Sequence, residues 1–161
     1  MFSQSESTLK FLSILIVTLG LLSLRTVVSA AEIEIVRIDT APSPRFSIEI
    51  DKAEQLAGLK IVLNYPADLL IYTDGTKTDI TSSFMYVIND KQPGRLILVM
   101  ASAKGISGKS VELFNLEFTH IANRETRVDD LKIEQCELMS EFLKTIPCEL
   151  NSSQLQIEKS Q

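Results

Sequence analysis

The sequence has 161 residues, of which 45% are hydrophobic and 23% are charged, and its formal net charge is −5. The acidic chain contains no cluster of Lys and Arg, on which nucleic-acid binding rests, so its composition argues against nucleic acid as a partner. Composition narrows the class of protein in this way but does not by itself assign a biochemical activity.

The first 30 residues carry the pattern of a secretory signal peptide. Lys10 precedes the apolar segment FLSILIVTLGLLSL, and small residues stand at Val28 and Ala30, where a signal peptidase reads them. A transmembrane anchor is the alternative, but the run of about 14 apolar residues is shorter than the ~20 that a spanning helix needs. We therefore predict cleavage after Ala30, a mature domain over 31–161 without membrane association, and a secreted or periplasmic location.

Beyond residue 30, hydrophobic residues alternate with polar ones at a period of two, which is typical of strands with one buried face. Pro and Gly residues separate the alternating runs. Strands are predicted over 31–39, 45–51, 58–66, 83–89, 95–103, 111–120 and 154–158. Many short strands with turns between them indicate an all-β sandwich or barrel.

The segment 129–146 does not fit this alternation. Its hydrophobic residues from Leu131 to Ile146 stand near helical spacing, with acidic residues at the start, so a helix is one interpretation. A strand over 130–138 followed by an irregular connection is the other.

Cys136 and Cys148 are the two cysteines of the chain. In an oxidising compartment an even count permits one disulfide, which would stabilise the fold by roughly 3 kcal/mol for a loop of this length. Two buried free thiols are the alternative, because the sequence does not supply the Cα separation that decides between the two states.

Four segments between Leu56 and Phe118 share a further pattern. A glycine opens an alternating strand that ends in Tyr-Pro, and a Pro-Gly turn then leads into an apolar strand, a glycine-containing loop and a strand ending near Phe. The landmarks are Gly58, Tyr65, Pro66, Leu69, Pro93, Gly94, Gly105, Gly108 and Phe118. In this order the segments resemble the cohesin domain, the dockerin-binding module of bacterial cell-surface and cellulosomal scaffolds, although the usual Asp between Tyr and Pro is absent.

The resemblance implies a nine-stranded β-sandwich with jelly-roll topology and a strand over 130–138. It also implies that the sheet containing 58–65, 84–89, 95–103 and 130–138 is a docking face. Carried over by position, with Asn64 added by alternation, the partner contacts are Lys60, Val62, Asn64, Val99, Ser102, Lys104 and Gly105. Because Lys60 and Lys104 are positive where the family often has acids or amides, the expected dockerin-like partner has an acidic rim.

The strand over 95–103 is apolar on both faces. Its inner residues Leu96, Leu98 and Met100 are expected to fill the core, and its outer residues are Ile97, Val99 and Ala101. An apolar outer face is unfavourable unless a partner covers it. The alternative is that a loop covers the patch, or that the patch is too small to need covering.

The sequence contains no recognisable catalytic constellation. The only histidine, His120, lies at a predicted strand end, no Ser stands in a Gly-x-Ser-x-Gly elbow, and no His, Cys or Glu cluster has metal-ligand spacing. Asp74, Asp79 and Asp90 lack EF-hand spacing and are interpreted as turn formers. We therefore expect a non-catalytic protein without a cofactor or metal site.

Direct sugar binding is the alternative function, since some carbohydrate-binding modules share the fold. Flat sugar sites rely on exposed aromatic rings, and this chain has no Trp. Tyr72, Tyr86 and Phe142 remain, and Tyr86 is expected to point into the core. The sequence therefore predicts a dockerin-type protein partner first, in extracellular assembly or polysaccharide-related processes, and a polysaccharide second.

Overall fold

The computed structural model describes residues 30–39, 43–121 and 127–150. The predicted strand over 154–158 and nearly all of the predicted signal peptide lie outside the described residues. Within the described residues, eight strands and one 3₁₀ turn are formed: β1 Ala31–Asp39, β2 Arg45–Asn64, β3 Leu70–Lys77, β4 Met85–Gln92, β5 Arg95–His120, the turn Val128–Asp130, β6 Lys132–Ser140, β7 Thr145–Ile146 and β8 Cys148–Leu150.

Two long strands, β2 and β5, run through both layers of the fold. Their halves nearest the β4–β5 turn pair with each other, with β4 and with β6, which pairs with β7; this front sheet has the order β4-β5-β2-β6-β7. Their other halves pair with β3 and β1, and β8 adds in parallel to β1, giving the back sheet β3-β5-β2-β1-β8. The class is therefore all-β, as predicted, with one hydrogen-bonded network folded into two layers.

Within the described residues the division into strands differs from the expected one, because two predicted breaks do not occur. The predicted strands over 45–51 and 58–66 are one strand, β2, and those over 95–103 and 111–120 are one strand, β5. Register shifts between Ala53 and Gly58 bend β2 without ending it. A bulge of this kind changes the direction of a strand while its pairing continues. Conversely, β3 was not among the predicted strands, because apolar and polar residues do not alternate clearly along it.

The predicted glycine loop after residue 103 is the bend of β5. Gly105 lies within the strand, and its N–H donates to Oε2 of Glu141 at 2.8 Å. A Cβ at position 105 would overlap the backbone of Gln55, so the two long strands cross closely at this point. Gln55, the residue of β2 that Gly105 approaches, has φ 53°, and its N–H donates to Oγ of Ser107 at 2.9 Å.

The core between the layers is built from both sheets. Leu96, Leu98 and Met100 are buried, which confirms the predicted inner face of the 95–103 segment. At one end Phe118 contacts three aromatic rings edge-on, with centroid distances of 5.8 Å to Phe46, 5.2 Å to Tyr65 and 5.8 Å to Tyr72. Such edge-to-face pairs add about 0.5–1.5 kcal/mol each beyond the burial of their area.

Residues 129–146 do not form a helix. The helical interpretation is wrong, and the strand over 130–138 corresponds to β6, Lys132–Ser140, preceded by the 3₁₀ turn. Ile133 and Leu138 face the core while Glu137 and Met139 face outward. Backbone pairing with β2 favours the strand, because it supports the alternation of inward and outward side chains over the weaker helical spacing of the hydrophobic residues.

The two cysteines form a disulfide with a Cα separation of 6.2 Å. Cys136 lies on β6 in the front sheet, and Cys148 begins β8 in the back sheet. The bond therefore joins the two layers at the edge where the short strands β7 and β8 would otherwise be held by few backbone hydrogen bonds.

A row of three glutamates crosses the outer face of the back sheet. Glu49 pairs with Glu34 on β1 and with Glu112 on β5. Partial burial, followed by the charges of Glu34 and Glu112, raises the pKa of Glu49. Like charges placed directly opposite each other destabilise a sheet.

We expect Glu49→Gln to increase the free energy of unfolding at pH 7 by about 0.5 kcal/mol, because it removes this repulsion. A raised pKa in the folded state means that the protonated form is the favoured one, so stability is lost as pH rises through that pKa. The gain should therefore shrink as pH falls through the pKa of Glu49. Denaturant unfolding at several pH values measures it, with Glu54→Gln as the control outside the row; a gain independent of pH would contradict the explanation.

Candidate docking face

The outer surface of the front sheet, here called the front face, is ordered in rows by the strand register. The row at the bend contains Met85, Ala101, Gly58, Met139 and Thr145. The next row contains Val87, Val99, Lys60 and Glu137. The third row contains Asn89, Ile97, Val62 and Gln135. Arg95, Asn64 and Lys132 form the row nearest the β4–β5 turn.

One half of the front face is apolar and exposed. The exposed fractions are 78% for Met85, 68% for Val87, 41% for Val99 and 43% for Met139. The turn after β6 extends this surface, because Phe142 and Leu143 are also largely exposed. A contiguous group of exposed large apolar side chains is typical of an interaction site.

The turn that carries Phe142 and Leu143 is held by several hydrogen bonds. The N–H of Glu141 donates to the carbonyl of Gln55 at 2.9 Å, and that of Leu143 to the carbonyl of Ser140 at 2.9 Å. Leu143 adopts φ 58°, an uncommon conformation for a leucine. The turn therefore presents its two apolar side chains from a defined backbone.

The other half of the front face is polar, and most of its charged groups engage one another, with the exposed Lys132 outside these pairs. Nζ of Lys60 lies 2.9 Å from Oε1 of Glu137, and Nη1 of Arg95 lies 2.7 Å from Oε2 of Glu134. Nδ2 of Asn64 donates to the same Glu134 oxygen at 3.2 Å. Exposed pairs of this kind contribute only about 0–1 kcal/mol to stability, but they leave little net charge on this half.

Four of the seven predicted contact residues lie in the rows of the front face. Lys60, Asn64 and Val99 are accessible there. Val62 has the predicted orientation, but its exposed fraction is 1%. Its neighbours along β2 are Lys60, which is ion-paired with Glu137, and Asn64, which donates to Glu134, and its neighbours across the sheet are Ile97 and Gln135. Val62 is therefore not accessible in the free chain, and its contact with a partner stays a prediction.

The other three predicted residues lie beyond the rows, in the bend of β5. Oγ of Ser102 accepts a hydrogen bond from the N–H of Lys104 at 3.2 Å. Lys104 is exposed, whereas Gly105 is half-buried against Gln55 and Glu141. The bend places Lys104 at the apolar end of the front face.

Sequence reasoning missed four exposed apolar residues, Met85, Val87, Met139 and Leu143, and considered Phe142 only as an aromatic ring for a sugar site. The alternation within 83–89 could have predicted that the side chains of Met85 and Val87 point outward. Tyr86 points inward as predicted, since its ring packs against Phe114 at 5.0 Å and its hydroxyl donates to the Gly75 carbonyl at 3.1 Å. It is nevertheless 41% exposed, because β4 is an edge strand.

A recess of about 610 Å³ opens on the front face beside β6. Gly58 and Val99 line it on one side, and Met139, Thr145 and Pro147 on the other. The Lys60–Glu137 pair also contributes to its wall. Most of the surface that lines the recess is therefore apolar, and its charged groups are already paired.

Of the three aspartates interpreted as turn formers, only Asp79 lies in a turn region, whereas Asp74 and Asp90 lie in β3 and β4. Oδ1 of Asp74 accepts the N–H of Gly75 at 2.7 Å, next to a register shift of β3. Within 30–39, 43–121 and 127–150, no three His, Cys, Asp or Glu residues are grouped so as to hold a metal ion. The same ranges contain no helix that is long and apolar enough to cross a membrane.

Comparison with solved structures identifies the fold. A non-cellulosomal cohesin from Archaeoglobus fulgidus has a TM-score of 0.60 at 16% identity, covering 76% of this chain and 86% of that one. The sixth cohesin of scaffoldin B from Acetivibrio cellulolyticus, solved in complex with a mutant Cel5 dockerin, has a TM-score of 0.63 at 13% identity, covering 76% and 95%. A cohesin module of a Clostridium perfringens family 33 glycoside hydrolase gives 0.60 at 16%, covering 75% and 91%.

Sequence comparison gives no further assignment, since no family model and no curated protein matches the chain. The structural likeness rests on strand order and layer arrangement at identities of 11–16% among the cohesin structures compared. It agrees with the fold that the sequence landmarks around Gly58, Tyr65 and Pro93 suggested. The described residues therefore form a cohesin-like domain.

Proposed function

We propose that this chain is a secreted, non-catalytic module that binds a dockerin-type protein partner through the front face. The observation that carries the proposal is the exposed apolar half of that face, on a fold whose solved neighbours include complexes with dockerins from Acetivibrio cellulolyticus and Clostridium thermocellum. An apolar centre with a polar rim is the usual composition of a protein interface. A role in extracellular assembly or polysaccharide-related processes belongs to the same proposal.

The charge pattern changes the partner that we propose. Lys60 is engaged by Glu137, so of the two lysines only Lys104 offers a positive charge without a carboxylate of the described residues in contact. An acidic rim on the partner is therefore favoured near the bend of β5 and, at the opposite end of the face, beside the exposed Lys132. Because the centre of the face is apolar or internally paired, we expect binding to depend weakly on salt concentration.

Calorimetry with purified chain and the dockerin modules encoded in the same genome tests the proposal. We expect at least one module to bind with a negative heat-capacity change, which reports burial of apolar surface. Affinity electrophoresis in polysaccharide gels tests the sugar-binding alternative. Retention on polysaccharide without binding to any dockerin would replace the proposed function by that alternative.

A further inference from the structure

Gly58 is unusual among the five glycines that the structure describes. Gly94 has φ +83°, and an added Cβ would lie 2.6 Å from Phe114 at position 75 and 2.8 Å from Val111 at position 108. At position 105 an added Cβ would overlap the Gln55 backbone. These four positions are glycine for reasons within the fold.

At position 58 neither crowding nor backbone conformation requires glycine. An added Cβ would meet Cβ of Met139 at 3.4 Å and the Met100 carbonyl at 3.9 Å, which is ordinary van der Waals contact. Its φ is not in the left-handed region, although the register shift of β2 lies next to it. Glycine in a strand interior reduces stability, and it often marks a bulge or a place where a ligand or another backbone approaches closely.

The position of Gly58 on the front face suggests what approaches. It lies in the middle of its row, between Ala101 and Met139, and forms part of the 610 Å³ recess. A larger residue here would project into that recess. The missing side chain therefore keeps open a depression in the most apolar part of the face.

Resting on the proposed function, we propose that the recess over Gly58 receives one large aliphatic side chain, of the Leu or Ile class, from the protein partner. The carboxylate and ammonium groups at its wall, Glu137 and Lys60, are paired with each other, so a charged occupant would gain nothing there. The methionine at position 139 adapts its shape to an aliphatic group. Anchors of this kind, inserted into a pocket near the centre of an interface, carry much of the binding energy.

Gly58→Val tests the inference because it fills the recess in a strand that accepts it. We expect its Tm to rise by a few degrees, since Val favours strands and Gly does not. We expect its affinity for a dockerin that binds the native chain to fall at least tenfold. A lower Tm would show that the fold itself requires the glycine, and an unchanged affinity would show that the recess is empty in the complex; either result overturns the inference.

A second measurement does not depend on dockerin binding. N-acetyl-leucine methylamide is titrated into isotope-labelled protein, and backbone chemical shifts are followed by NMR. We expect saturable changes grouped around Gly58, Val99 and Met139 that disappear in Gly58→Val and persist in Thr76→Val, a control on the back sheet. Scattered changes, no changes, or changes that survive in Gly58→Val overturn the recess as an aliphatic site. If no dockerin binds but the leucine probe behaves as expected, the proposed function fails and the recess stands.

Discussion

Replacement of both cysteines by Ser is expected to lower the free energy of unfolding by about 3 kcal/mol. The bond between Cys136 and Cys148 closes a loop with a sequence separation of 12, and its removal returns conformational entropy to the unfolded chain. For a domain of this size the corresponding loss in Tm is roughly 10 °C. Calorimetric unfolding of the native protein and the double variant measures the difference.

Reduction of the native protein with a phosphine is the matched control, because it breaks the bond without changing any residue. It should reproduce the Tm of the Cys136→Ser, Cys148→Ser variant. Front-face residues on β6 should lose protection from hydrogen exchange in both samples, since β7 and β8 are short and the disulfide fixes them to the sheet. A Tm within measurement error of the native, oxidised protein would contradict the proposed role of the bond.

The fold was predictable from sequence where alternation is strong and local. β1 was predicted with its observed bounds, Ala31–Asp39, because apolar and polar residues alternate along it without interruption. β2 was not, since the charged segment 51–57 interrupts the alternation that continues on either side. That segment stays in the strand through its pairing with residues 106–109 of β5, a long-range contact that no local pattern reveals.

The sequence predicted which surface of the sheet carries the candidate site, but not which residues make half of that surface apolar. The cohesin resemblance placed Lys60 and Val99 on one surface, and the register makes them direct neighbours. The apolar half of the front face depends on Met85 on β4 and Met139 on β6. These two strands belong to one sheet because β5 and β2 lie between them and pair with them. The burial of Val62 likewise arises in a sheet whose neighbouring residues, Ile97 and Gln135, are distant in sequence.

The separation of the front face into two halves has an energetic consequence. In the polar half Lys60 and Arg95 are already paired with glutamates, so contact with a partner at these groups exchanges existing pairs for new ones with little net gain. The apolar half has no such internal partners, and covering it removes apolar surface from water at about 25 cal/mol per Å². Affinity is therefore expected to come from the residues around Val99, and orientation from those around Glu134 and Glu137.

Val99→Asp should accordingly abolish most of the binding while leaving the fold intact. Val99 is 41% exposed at the centre of the apolar half, so the free chain tolerates an aspartate there at a cost of less than about 1 kcal/mol. In the complex the same carboxylate would be buried next to Lys60, whose ammonium is already paired with Glu137, so burying the added charge costs several kcal/mol. We expect the dissociation constant for a bound dockerin to rise at least about 100-fold, which corresponds to about 2.7 kcal/mol.

The matched control is Ile71→Asp, because Ile71 is also an exposed β-branched residue, with 53% of its surface accessible, but lies on β3 in the back sheet. Calorimetry gives the dissociation constants, and thermal unfolding shows whether each variant is folded. Equal losses of affinity in the two variants would point to a general effect of added negative charge. Undiminished binding by a folded Val99→Asp would remove the front face as the docking surface, because no partner that covers this row can avoid the substituted side chain.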